Sequence, residues 1–113
     1  MEESIYSSLS KNIVNIDNYE REIKETEKIF YSKNIKKSKL DEIFWNHLLS
    51  LFERIDSNLQ NDLESYKIEG ITKESEILLE EYIKYISKIR NFSINNFERM
   101  LLNIYTQRML EEE

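Results

Sequence analysis

Ser38-Lys39-Leu40-Asp41-Glu42-Ile43-Phe44-Trp45-Asn46-His47-Leu48-Leu49-Ser50-Leu51-Phe52-Glu53-Arg54-Ile55 is the stretch that decides the fold. Within it and just beyond, Leu40, Phe44, His47 or Leu48, Leu51, Phe52, Ile55 and Leu59 recur three or four residues apart. That period places side chains on one face of an α-helix. Ser38 followed by Asp41 has the form of a capping box, so the spacing predicts a long central helix opening near residue 40. Trp45 falls on a flank of the stripe, either as an anchor for a partner or beneath the N-terminal helices.

The same periodicity extends in both directions. Ile5, Leu9 and Ile13 predict a short helix over 2–14. Asp17 with Glu20 reads as a capping box opening a helix over 18–32, with Ile23 and Phe30 or Tyr31 inward and Glu27 interrupting the stripe. Asn58, Asn61 and Asp62 predict a break, residues 61–68 a short helical piece, and Gly70 a left-handed stop. Thr72 predicts the cap of a helix over 73–90, with Ile77, Leu78, Tyr82, Tyr85, Ile86 and Ile89 inward and Glu74, Glu76, Glu80 and Glu81 outward. Ser93 predicts the cap of a last helix carrying Ile94, Phe97, Leu101, Ile104 and Tyr105. The expectation is an all-α fold, a compact bundle of about five helices in one domain spanning 1–113.

Composition narrows the function. With Cys 0 and His 1, one chain offers no disulfide framework, no thiolate zinc site and no multi-histidine metal site. Gly 1 is too few for the glycine-rich loops that cradle phosphates. A formal net charge of -6 argues against a nucleic-acid surface, which needs clustered cations. Lys33, Lys36, Lys37 and Lys39 form the one basic cluster; its plain reading is a solvated inter-helix turn, and the alternative is a phosphate or partner contact. The start Met1-Glu2-Glu3-Ser4 carries no basic, apolar leader, and no run is long enough for a membrane span. A cytoplasmic protein without cofactors is expected.

His47 is the one imidazole available as acid, base, ligand or phosphoryl acceptor. It shares a helix face with Ile43, Phe44, Leu51 and Arg54, so Arg54 is placed to contribute to one anion-facing surface. The plain alternative is a partly buried histidine at the core edge. A carboxylate-bridged metal pair would need a Glu three residues before the histidine, and that position is Phe44. No nucleophile elbow is present either, so no enzyme activity and no catalytic or metal-binding residue is expected.

Asn46-His47-Leu48-Leu49-Ser50-Leu51-Phe52-Glu53-Arg54-Ile55 resembles the Asp-His-(apolar)…Glu-Arg-(apolar) signature of the phosphotransferase-system regulation domain, the PRD. The segments from Gly70 to Glu76, Ile83 to Phe92 and Ser93 to Ile104 are similar to later parts of that family, and the likeness is strongest over 20–110. The resemblance implies an all-α, commonly dimeric sensor in bacterial regulators of carbohydrate use. Phosphotransferase-system proteins, a phosphocarrier or a sugar-specific component, place phosphoryl groups on its histidines. On that footing His47 is the phosphoacceptor candidate, Arg54 its charge partner, and Asn46 and Asn103 line the site, with the ring projecting into a polar, guanidinium-lined cleft. Asn46 stands where the family usually has aspartate, and Asn103 where it has a second histidine, so at most one histidine per chain can be modified. The length leaves no room for an output domain, which implies a stand-alone homodimer acting through protein contacts. The different-class alternative is a helical dimer that serves as an adaptor without phosphorylation.

Overall fold

The central helix forms where the period places it and is apolar on more than one side. In the computed structural model, which describes residues 1–112 and so leaves Glu113 of the closing acidic run outside the described residues, this helix is α3, Glu42–Asp56. Its cap is Asp41, whose side chain accepts the Phe44 N–H at 2.9 Å; Ser38 instead lies in a 3₁₀ turn, Lys37–Lys39. Phe44, Trp45, Leu48, Leu49, Leu51, Phe52 and Ile55 are all buried. Burying each large side chain contributes about 1.5–3 kcal/mol, so α3 is the axis of the fold. Ile43 and Asn46 on the remaining strip are exposed, and His47, Ser50 and Arg54 are half-buried. Trp45 is covered, with Met1, Ile5 and Tyr6 of the N-terminal segment packed against the core.

The other helices wrap this axis: α1, Glu3–Leu9; α2, Glu20–Ser32; α4, Lys73–Ile86; and α5, Asn96–Leu110. No strand occurs among the described residues. The radius of gyration, 13.6 Å, matches the roughly 13 Å expected of a compact chain of this length. No helix among the described residues is long and apolar enough to cross a membrane.

Asparagine ends two helices in a chain that has a single glycine. After α2 and after α3, Asn34 (φ 64) and Asn58 (φ 56) take the left-handed conformation. The Ile35 N–H then bonds the Phe30 carbonyl at 3.1 Å, and the Leu59 N–H bonds the Arg54 carbonyl at 2.8 Å. These are Schellman closures, with asparagine tolerated where glycine is usual. Gly70 (φ 85) takes the same conformation before α4. The lysine cluster lies in the α2–α3 turn, where Lys33 pairs with Glu81 and Lys37 with Glu2.

Several expectations need correction. The first helix stops at Leu9, and residues 16–19 form a 3₁₀ turn; Asp17 caps nothing there and accepts the Tyr6 hydroxyl. Residues 61–68 are irregular, since their apolar residues find no surface to cover: Leu63 and Tyr66 are 65% and 69% exposed. Leu59, Ile77 and Tyr85 face solvent rather than the core. Helix α4 ends at Ile86, and Asn95, not Ser93, caps α5 by accepting the Glu98 N–H at 2.8 Å. Among the described residues two glutamates are buried, Glu22 and Glu98, each paired with an arginine: Arg90 with Glu22 and Arg54 with Glu98.

Candidate functional site

The uncovered strip of α3 packs beside α5, and the site is made where they meet. The His47 ring stacks on Tyr105, centroids 4.6 Å apart and planes at 21°. Its Nε2 is buried and has no hydrogen-bond partner. Burial pushes the His47 pKa down from 6.5 to about 4; the Arg54 charge lowers it further and Glu98 partly opposes this. The imidazole is therefore neutral at physiological pH, with a nitrogen that no protein group claims.

Arg54 lies two turns beyond His47 on the same strip. Its charge acts on the imidazole and helps to hold the ring neutral. Its guanidinium is committed elsewhere: Nε donates to Glu98 Oε2 at 2.8 Å and Nη2 to Oε1 at 3.0 Å. Glu98 is 0% exposed and its Oε2 also accepts the Asn61 N–H at 3.1 Å. A buried carboxylate is tolerable because three N–H donors satisfy it.

The expected open, guanidinium-lined cleft at His47 is thus not the observed arrangement. The ring lies against an aromatic face and the guanidinium is neutralised, because a carboxylate that the helical period places outward sits inside. The asparagines separate from the histidine. Asn46 is exposed on the α3 surface. The Asn103 side-chain oxygen accepts from the Ser75 hydroxyl at 2.8 Å and the Thr106 hydroxyl at 2.9 Å, tying α5 to α4 rather than lining the imidazole. Asn103 also borders an open α4–α5 cleft of about 470 Å³ with Ile77, Leu79, Lys84 and Arg99. Among the described residues, no group of three His, Asp or Glu side chains is placed to hold a metal ion.

Sequence reasoning missed Glu98 and the role of Tyr105. Asn95 and Glu98 have the spacing of a capping box, the one signal present, and it assigns Glu98 the backbone of Asn95 as partner. In the structure the Asn95 N–H is taken by Gln60 Oε1 at 3.0 Å, which leaves Glu98 free to turn to Arg54. No family model, no curated protein and no solved structure matches this chain. The likeness to the PRD accordingly stands on the residues quoted for it.

Proposed function

We propose that the chain is a non-enzymatic, PRD-like regulatory module that works as a homodimer and accepts a phosphoryl group on His47 from a phosphohistidyl protein of the phosphotransferase system. The observation that carries this reading is the unclaimed, buried Nε2 of a neutral imidazole. A histidine kept only for packing would be expected to have its ring nitrogens bonded, because an unmet buried polar atom costs about 1–3 kcal/mol. Neutrality also suits the chemistry, since only an unprotonated ring nitrogen is a nucleophile.

In the transfer, the lone pair of a His47 ring nitrogen attacks the phosphorus of the donor's phosphohistidine. The donor P–N bond breaks, and its electron pair returns to the donor ring. Each imidazole keeps its single N–H, so no proton is lost or gained. Reaching the donor requires the ring to swing off Tyr105 toward the exposed side where Asn46 and Ile43 lie. The test is incubation with phosphoenolpyruvate and the general phosphotransferase proteins, followed by mass measurement under non-acidic conditions. One added phosphoryl group, lost in His47→Ala, is expected; no added mass, or mass surviving that substitution, removes the reading.

A second reading, a helical adaptor that is never phosphorylated, is favoured by one observation: Ile43, Leu63 and Tyr66 are 62%, 65% and 69% exposed, apolar area suited to a protein contact. It expects a bound partner whose affinity is indifferent to His47→Ala.

A further inference from the structure

We propose that Glu98 holds both Arg54 and the backbone N–H of Asn61 in the resting protein, and that a phosphoryl group on His47 takes Arg54 from it, releasing the Asn61 end of the 57–72 connector from α5. The proposal rests on the phosphoacceptor reading of His47 and adds how the modified state is read out.

The geometry supplies each part. One carboxylate holds both the guanidinium and the connector: Arg54 Nε and Nη2 at 2.8 and 3.0 Å, and the Asn61 N–H at 3.1 Å. Farther along the connector the Tyr66 N–H meets Met100 Sδ at 3.3 Å, and Thr72 donates to Gln107 Oε1 through its N–H and its hydroxyl at 2.8 and 3.0 Å; three more ties hold the Gln60–Asn61 end at the start of α5. Asn95 Nδ2 donates to the Asn61 carbonyl at 2.8 Å, Gln60 Nε2 to the Ser93 carbonyl at 2.9 Å, and the Asn95 N–H to Gln60 Oε1 at 3.0 Å. Within this knot Glu98, paired with Arg54, is the most deeply buried group, at 0% exposed. Beyond Asn61 the strand of irregular backbone keeps Leu63 and Tyr66 largely in water, so little apolar burial opposes its release.

Charge decides the exchange. A phosphoryl group brings about -1.5 to -2 and three strong acceptor oxygens, against the single charge of a carboxylate, and guanidinium binds it in the same forked geometry. Arg54 lies two turns beyond His47 on one helix and its charge already acts on the imidazole, so the exchange asks for a swing of the Arg54 side chain rather than a movement of α3. Glu98, once deserted, is an uncompensated buried charge, which favours a rearrangement that opens it to water on the side where Asn61 packs.

The experiment uses the full chain. Asn61 amide exchange and trypsin cleavage after Lys67 report connector release, while Trp45 fluorescence and helix content report the fold. Arg54→Leu/Glu98→Leu removes the latch without stranding a charge, and Glu98→Gln keeps its shape while removing the charge. In both unphosphorylated variants Asn61 is expected to exchange roughly tenfold faster with the helices intact, and phosphorylated wild type is expected to match them. Unchanged protection in both variants overturns the latch. A wild-type protein that carries the phosphoryl mass yet keeps Asn61 protected overturns the takeover. Failure to accept a phosphoryl group at all defeats the phosphoacceptor reading and the takeover with it, while release in the variants still measures the latch.

Discussion

Removing one partner of the Arg54–Glu98 pair should cost far more on one side than on the other. The two side chains differ sharply in exposure, 24% for Arg54 and 0% for Glu98. Arg54→Leu strands a carboxylate that keeps only the Asn61 N–H, and an uncompensated buried charge costs about 3–5 kcal/mol. Glu98→Leu strands a guanidinium that is already partly wet and an Asn61 N–H on an exposed connector, so both can turn to water. The loss there is about two charged hydrogen bonds, roughly 1–3 kcal/mol net, offset in part by the apolar side chain in a dry site. The double variant should lie near wild type, within about 1.5 kcal/mol, because neither charge remains to be satisfied. Trp45, the single tryptophan and 1% exposed, makes urea unfolding followed by its fluorescence a clean measure of all four proteins. Equal losses in the two single variants, or a double variant whose loss is their sum, would refute the asymmetry and with it the account of Glu98 as a carboxylate kept inside by Arg54.

His47 should make the protein acid-sensitive. Its folded pKa of about 4 lies below the unfolded 6.5, so stability is complete above pH 6.5 and falls as pH drops toward 4, by about 3 kcal/mol in all. The difference in unfolding free energy between wild type and His47→Gln, measured from pH 7 to 4, should track that window; a flat difference contradicts the burial of the neutral ring. The buried Thr26–Tyr82 hydroxyl contact at 2.8 Å predicts that Tyr82→Phe costs about 1–2 kcal/mol and that adding Thr26→Val recovers part of it, as read in thermal unfolding. Asn58→Gly should leave stability unchanged or raise it by a few tenths of a kcal/mol, while Asn58→Val should lower it by about 1–2 kcal/mol, since only the former accepts φ 56 without strain; chemical denaturation distinguishes the two.

The helical class, the central helix with its buried stripe, the Thr72 cap and the turn at the lysine cluster were readable directly from residue order, because each depends on neighbours three or four positions away; the stripe read on the last helix was not, since Ile94, Phe97, Leu101, Ile104 and Tyr105 are half-buried while Glu98, Leu102, Thr106 and Met109 are the buried side chains of α5. Phe44, Leu48, Leu51, Phe52 and Ile55 are buried as the stripe requires. His47 and Arg54 could likewise be placed on one strip of α3 by counting alone. Local order could not decide which partner each would find. Glu98 is carried inward by the register of α5 against α3, and Arg54 is bound to it across 44 positions of chain. The irregular 57–72 segment, too, depends on which surfaces the helices leave uncovered, a question of packing between distant elements. A histidine's neighbours along the helix follow from its position in the chain; whether its Nε2 meets water, a donor or nothing is set by the fold as a whole.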